Sequence, residues 1–261
     1  MTWVEALILG LIQGLTEYLP VSSSGHLEIA REILGGNSLP EENLWFTVWV
    51  HFATALSTVV VYRKRIAEIF TGLFSRKPEE WRFAAMIVLS MIPAGLVGLF
   101  FEDAIDNLFV GNLVLVGCSL FGTALLLLLA DFYNGTDIKI TPSKAIWMGL
   151  AQAVAILPGI SRSGATIAAG IMVKTDKGKA AEFSFLMVIP LIFGKMAKDL
   201  LDAPNLENIA SGPILLGFVA AFVAGILACT FMIRLVKASK LRYFSVYCAI
   251  AAVFCLLYSF I

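Results

Sequence analysis

Two short stretches of this chain gather side chains that could handle a phosphate. The first runs from Gln13 through Glu17 to Ser22-Ser23-Ser24-Gly25-His26, and the second from Gln152 to Ser161-Arg162-Ser163-Gly164-Ala165-Thr166. A carboxylate such as Glu17 can take a proton or hold a divalent cation, alone or with Gln13 one helical turn before it. The imidazole of His26 can move protons or attack phosphorus near neutral pH. The Ser23 hydroxyl is a second candidate for attack or proton transfer. Arg162 can grip phosphate oxygens bidentately and stabilise charge that develops on them. Hydroxyls and free backbone N–H groups at a helix N-terminus form an anion cradle. Ser22, Ser24 and Gly25 supply them in the first stretch, and Ser161, Ser163, Gly164 and Thr166 in the second. Taken singly, the serines read as ordinary N-caps and Glu17 as a structural partner of Arg162.

The two stretches are copies. Sliding residues 6–30 forward by 139 positions gives eight identities in 25: Ala6, Gly10, Leu11, Gln13, Ser22, Ser24, Gly25 and Ala30. At that offset Ser23 falls on Arg162, flanked by matched serines, Ser22 with Ser161 and Ser24 with Ser163. A shared scaffold with unlike residues at its tips points to one composite site, with Ser23 and Arg162 facing each other across a phosphate.

The elements that position these residues lie in a bilayer. The 261 residues are 59% hydrophobic and only 15% charged, with mean hydropathy +0.87. A soluble domain has about 45–50% apolar and roughly 25% charged residues. The chain therefore reads as an all-α polytopic membrane protein. Net charge is zero, which gives nucleic acid nothing to bind. The four cysteines lie in apolar stretches without a CxxC pair and read as buried thiols rather than a disulfide or zinc site. The first apolar stretch has the acidic Glu5 in place of a basic flank and lacks a small-residue cleavage site, unlike a cleaved signal peptide.

Six segments have the roughly 20 apolar residues that a spanning helix needs: 44–62, 83–101, 111–130, 181–201, 213–234 and 243–261. Two further apolar regions, 3–34 and 143–173, are each interrupted midway by Pro, Ser and Gly, as a helix broken inside a membrane reads. Loops 63–82, 131–145, 174–182 and 234–242 hold 15 of the 19 Lys and Arg residues, whereas the alternate loops hold Glu41, Glu42, Glu102, Asp103, Asp106, Asp199, Asp202 and Glu207. Basic loops are cytoplasmic. The first hairpin then enters and leaves from outside and the second from the cytoplasm. This is an inverted-topology repeat within one integral membrane domain, 1–261. Repeat 1 covers about 1–130 and repeat 2 about 143–261, each a re-entrant helix hairpin followed by three transmembrane helices. Arg162 lies far from the basic loops, so orientation does not explain it. His51, in the first span, ranks second to His26 because a lone histidine there is more often a packing residue. Lys195 and Lys198 snorkel toward the outer interface.

The strings Gln13-Gly-Leu-Thr-Glu-Tyr-Leu-Pro-Val-Ser-Ser-Ser-Gly-His26 and Leu157-Pro-Gly-Ile-Ser-Arg-Ser-Gly-Ala-Thr-Ile167 resemble the two signatures of the bacterial undecaprenyl-diphosphatase family, the bacitracin-resistance type. Ala181-Glu-Phe-Ser-Phe-Leu-Met187 is also similar. The resemblance implies a multi-pass enzyme of the bacterial inner membrane, its site facing the outer side. It would hydrolyse undecaprenyl diphosphate to the monophosphate and recycle the lipid carrier for peptidoglycan synthesis. It places the family's acidic motif on Gln13 and Glu17, its Ser/His loop on Ser23 and His26, and its arginine loop on Ser161, Arg162 and Thr166. It also implies a divalent cation, Mg²⁺ or Ca²⁺, held by Glu17 with Gln13. Many members have Glu where this chain has Gln13. The implied partners are the polyprenyl diphosphate and the bilayer, not nucleic acid; a homodimer is left open. The rival reading is a secondary transporter or flippase for an anionic lipid, since inverted repeats with broken helices also mark transporters.

Overall fold

The computed structural model describes residues 1–34, 40–101, 105, 108, 112–202, 211–238 and 241–259. Among them are eleven helices: α1 Trp3–Thr16, α2 Ser23–Ile33, α3 Pro40–Val61, α4 Arg63–Phe74, α5 Pro78–Phe100, α6 Leu113–Asp131, α7 Pro142–Val154, α8 Arg162–Met172, α9 Lys177–Asp202, α10 Ser211–Lys237 and α11 Leu241–Tyr258. The described residues contain no strand, only an isolated bridge between Asp137 and Thr175.

Six of these helices, α3, α5, α6, α9, α10 and α11, carry stretches long and apolar enough to cross a membrane. They coincide with the six segments expected from the sequence. Their outer faces suit lipid: Leu99, Leu215, Leu227, Val246 and Ile250 are all at least 60% exposed. In water such a surface would aggregate; in a bilayer it is solvated by the acyl chains. The acidic loop residues Glu41, Glu42, Glu102, Asp103, Asp106, Asp202 and Glu207 lie among positions whose placement or side chains fall outside the described residues.

The basic loop 63–82 holds more structure than its composition predicts. Helix α4 occupies Arg63–Phe74, and α5 begins at Pro78, ahead of the apolar run. Arg65 ties this corner together. Its guanidinium donates to Glu80 at 2.8 Å and to Glu182 at 3.1 Å, and lies 4.8 Å from the centre of the Phe83 ring. The ends of α4, α5 and α9 are joined through one side chain.

The remaining helices α1, α2, α7 and α8 have 14, 11, 13 and 11 residues. At ~1.5 Å per residue they reach only about 16–21 Å, short of the ~30 Å hydrocarbon core. None is long enough to cross it alone. The first pair is interrupted where Pro20 removes a donor and disfavours the helical conformation of Leu19. Ser22 then takes φ 71° and caps α2 by accepting from Gly25 N at 3.3 Å. The second pair is interrupted at Pro158 and Gly159, and Ser161 caps α8 by accepting from Gly164 N at 3.1 Å. Gly159 has φ 92°, and a Cβ there would stand 2.5 Å from the Val116 carbonyl oxygen.

Small residues seat the half-helices against the spans. A Cβ at Gly10 would stand 2.3 Å from Gly217 O, and one at Gly14 2.5 Å from Ala221 O, so α1 lies directly on α10. At the matched position in the second copy, Gly149 lets α7 approach α5, with Ser90 O 2.4 Å from where a Cβ would sit. Around the first pair, Ala6, Leu9, Leu27, Phe46, Val50, Ala53 and Ala221 form one buried cluster. Around the second, Ile167, Ile171, Phe185, Leu127 and Met232 form part of another, which Tyr18 and Val21 join from the first.

Candidate active site

The two helix breaks meet, and they meet reciprocally. A Cβ at Gly25 would lie 3.2 Å from Gly159 Cα, and one at Gly164 would lie 3.2 Å from Pro20 Cβ. At the offset of 139, Gly25 corresponds to Gly164 and Pro20 to Gly159, so these two contacts exchange under the repeat. Ser163 Oγ donates to Leu19 O at 3.2 Å, and Gly159 N donates to Ser24 Oγ at 3.5 Å. Thr123 of α6 holds the second break from outside, accepting from Ser161 N at 3.0 Å and donating to Gly159 O at 3.3 Å.

Glu17 stands at the centre. It is the C-cap of α1, and its neighbour Tyr18 fixes its position. The Tyr18 hydroxyl donates to Thr54 O and meets the hydroxyls of Ser57 and Thr58 on α3. One carboxylate oxygen, Oε1, accepts from Arg162 Nη2. The other, Oε2, accepts from Ser23 Oγ at 2.8 Å and from Gln13 Nε2 at 2.9 Å. The Glu17 side chain is 7% exposed and that of Arg162 16%. A carboxylate at this depth is expensive without such partners. Arg162 also donates from Nη1 to Ser184 O at 3.4 Å.

Glu17, Gln13, Ser23 and Arg162 are thus brought together, with Arg162 and Ser23 bound to opposite oxygens of one carboxylate. Ser22, Ser161, Ser163 and Thr166 are buried. Their hydroxyls are engaged in caps and in contacts such as Thr166 Oγ1 with Ser184 Oγ at 2.6 Å, so they shape the turns that carry Ser23 and Arg162. His26 faces elsewhere. Its Nδ1 meets Ser22 O at 2.7 Å and its Nε2 meets Tyr247 Oη at 2.8 Å, with the two rings stacked. The histidine that approaches the carboxylate is His51, whose Nε2 lies 3.9 Å from Glu17 Oε2.

Sequence reasoning ranked His51 below His26, whereas His51 is the one near Glu17, and it passed over Tyr18, Thr123, Ser184 and Tyr247. For His51 a signal was available. Thr47, His51, Thr54 and Thr58 recur at helical spacing, with Ser57 beside them, along a largely apolar span, a polar stripe that must face protein. Nothing local marks Tyr247 as a partner of a residue 221 positions away.

The sequence profile described as "Bacitracin resistance protein BacA" matches residues 6–254. This chain belongs to that family. It is 54% identical over 258 residues to an undecaprenyl-diphosphatase of Christiangramia forsetii, covering 98% of each chain. It is 51% identical over 257 residues to one of Bacteroides thetaiotaomicron, covering 96% of this chain and 97% of that one. A protein of the same name from Methanococcus vannielii is 37% identical over 258 residues, with 98% and 100% covered. Membership in the BacA family joins the matched helix breaks to relatives that share the chain end to end.

No group of three or more His, Cys, Asp or Glu among the described residues could hold a metal ion. A hard cation bound jointly with a diphosphate needs few protein ligands, because water and phosphate oxygens supply the rest. The site offers the Glu17 carboxylate and the carboxamide oxygen of Gln13, which is buried without a hydrogen-bond partner. A buried orphan oxygen beside a carboxylate is a place where an ion or water belongs. Glu17 and Gln13 are the residues that would hold a divalent cation shared with substrate.

Proposed function

We propose that this chain hydrolyses undecaprenyl diphosphate to undecaprenyl phosphate and inorganic phosphate, recycling the lipid carrier of peptidoglycan synthesis in the bacterial inner membrane. The observation that carries this reading is the single carboxylate shared by Ser23 and Arg162 where two helix breaks meet. The names of the relatives supply the substrate class. We read the chain as an inverted repeat, with one hairpin re-entrant from each face and the site open to the outer side. The reciprocal Gly25–Gly159 and Gly164–Pro20 contacts and the basic-loop pattern support it.

At rest, Glu17 compensates Arg162. The terminal phosphate of the substrate competes for the same guanidinium, which can bridge two phosphate oxygens. Capture by phosphate frees one oxygen of Glu17. The Ser23 hydroxyl already points its proton at the other. Glu17 takes that proton as Ser23 Oγ bonds to the terminal phosphorus; the bond from phosphorus to the bridging oxygen breaks, and undecaprenyl phosphate leaves. Water then cleaves the phosphoserine and releases inorganic phosphate. Direct attack by a water, with Glu17 as its base, gives the same products. Arg162 stabilises the phosphoryl oxygens in either route. A divalent cation held by Glu17 and Gln13 Oε1 would neutralise charge on the diphosphate.

An anion transporter would need the arginine but not the Ser23–Glu17 hydrogen bond, and relatives named as diphosphatases favour chemistry. The test is phosphate release from a C55 or C15 prenyl diphosphate by the purified chain, with and without chelator. Release that chelator suppresses and a divalent cation restores is the expected result. No release with any cation would end the enzymatic reading.

A further inference from the structure

We infer that Tyr247 is a positioning residue of the proposed reaction: through His26 it holds the Ser22 backbone in the turn that aims Ser23 at Glu17. The inference rests on the reading above that the Ser23–Glu17 pair serves phosphate release.

The two helix breaks supply their own comparison. Ser22 and Ser161 are matched caps, each accepting from the backbone N–H three residues on. Ser161 is extended, with φ −72° and ψ 115°. Ser22 stands at φ 71° and ψ 99°, a region that side chains disfavour and that persists only where the surroundings impose it. The residue four positions on differs in parallel: it is His26 in the first copy and Ala165 in the second. His26 supplies the constraint. Its Nδ1 lies 2.7 Å from Ser22 O and donates to it, since a carbonyl only accepts. That bond holds only while the imidazole keeps its plane. Tyr247 of α11 fixes the plane twice, with its hydroxyl 2.8 Å from Nε2 and its ring stacked on the imidazole. A hydroxyl both donates and accepts, so the contact holds whichever charge the imidazole carries. The next residue, Cys248, donates from Sγ to Pro20 O at 3.5 Å, so α11 grips the first break on both sides of Ser22. Thr123 of α6 grips the second break in the same way. Ser23 directly follows the strained residue, and its Oγ reaches Glu17 Oε2 at 2.8 Å.

The test is steady-state phosphate release from a C15 prenyl diphosphate by the purified full chain in detergent. Tyr247→Phe keeps the stacked ring and removes the hydroxyl. Its kcat should fall about ten- to a hundredfold with KM unchanged. Tyr243→Phe, on an exposed position one turn earlier, should match the wild type. Ser22→Gly supplies a second arm. Glycine adopts φ 71° without strain, so Tyr247→Phe should lose most of its effect in that background. An unchanged kcat in Tyr247→Phe, a change in KM alone, or equal losses in both backgrounds would overturn the inference and leave the phosphatase reading standing. The imidazole ¹⁵N spectrum of the wild type decides even where a variant fails to fold, with His26 assigned as the signal lost in His26→Gln. A proton on Nδ1 is expected there, and a bare Nδ1 could not hold Ser22 O and would also overturn the inference. Absence of phosphate release from the wild type with any cation removes the phosphatase reading, and the role of Tyr247 with it.

Discussion

Arg162 donates to the carboxylate of Glu17 across 145 residues of chain, each side chain coming from a different helix break. Both are largely withdrawn from solvent. Removing one member of such a pair leaves an uncompensated charge and costs about 3–5 kcal/mol, whereas exchanging its donor geometry costs much less. The pair therefore serves stability at rest and phosphate capture in turnover, and suitable substitutions separate the two roles.

Arg162→Lys keeps the charge and loses the planar fork. It should fold and insert normally but lose two to three decades in rate, the ~3–4 kcal/mol that one preorganised charge donor supplies. Turnover near wild type would show that Arg162 is a structural counter-ion only.

Glu17→Gln removes the group placed to take the Ser23 proton, while keeping the side chain's size and one of its two acceptor oxygens. Activity should fall to background, with the protein still monodisperse in detergent. Gln13→Ala takes away a donor to Oε2 and the carboxamide oxygen proposed for the cation but leaves the proton acceptor in place, and should cost less. Measured phosphate release in the reverse order would mean that position 13, not 17, is the reactive one.

Gly159→Ala should lower thermal stability by the equivalent of about 1–3 kcal/mol. The added methyl meets Val116 O at 2.5 Å in a backbone conformation with φ 92°. Gly98→Ala is the control, since a Cβ there has nothing within 4 Å. A melting curve for Gly159→Ala that matches the control would mean that the second break is looser than its packing implies.

Orientation is checked by labelling. A cysteine introduced in loop 35–43 should react with an impermeant thiol reagent on intact cells, and one near Asp176 should not. Equal labelling at both positions would contradict opposite entry of the two hairpins.

The spans were legible because hydropathy over some 20 residues is a one-dimensional signal. The breaks were legible because Pro, Gly and Ser cluster there; a lone proline is not enough, since Pro93 and Pro190 lie inside α5 and α9. Helix α4 was not, since Arg63-Lys-Arg and the following charges read as a loop until Arg65 is seen gathering Glu80 and Glu182. Within the site, a Glu17–Arg162 pair followed from charge economy inside a membrane. The choice between the two histidines did not. It depends on which way each ring faces, and that is set by Tyr247 and Thr47, residues on other elements or other turns.

Tyr18 fastens the neighbour of Glu17 to α3, entirely within the first half of the chain, whereas Arg162 arrives with the second. During synthesis the acidic group is therefore made, and the segment holding it laid into the bilayer, before its basic partner exists. At about 5–20 residues per second, the separation of 145 positions takes roughly 7–30 s to synthesise. For that interval the nascent first half carries a carboxylate without its guanidinium, stabilised by hydrogen bonds from Gln13 and Ser23 with His51 nearby. Those neutral donors thus act in biogenesis as well as in chemistry, as a temporary shield. Loss of either should expose the newborn chain to membrane proteases before the finished protein shows any defect.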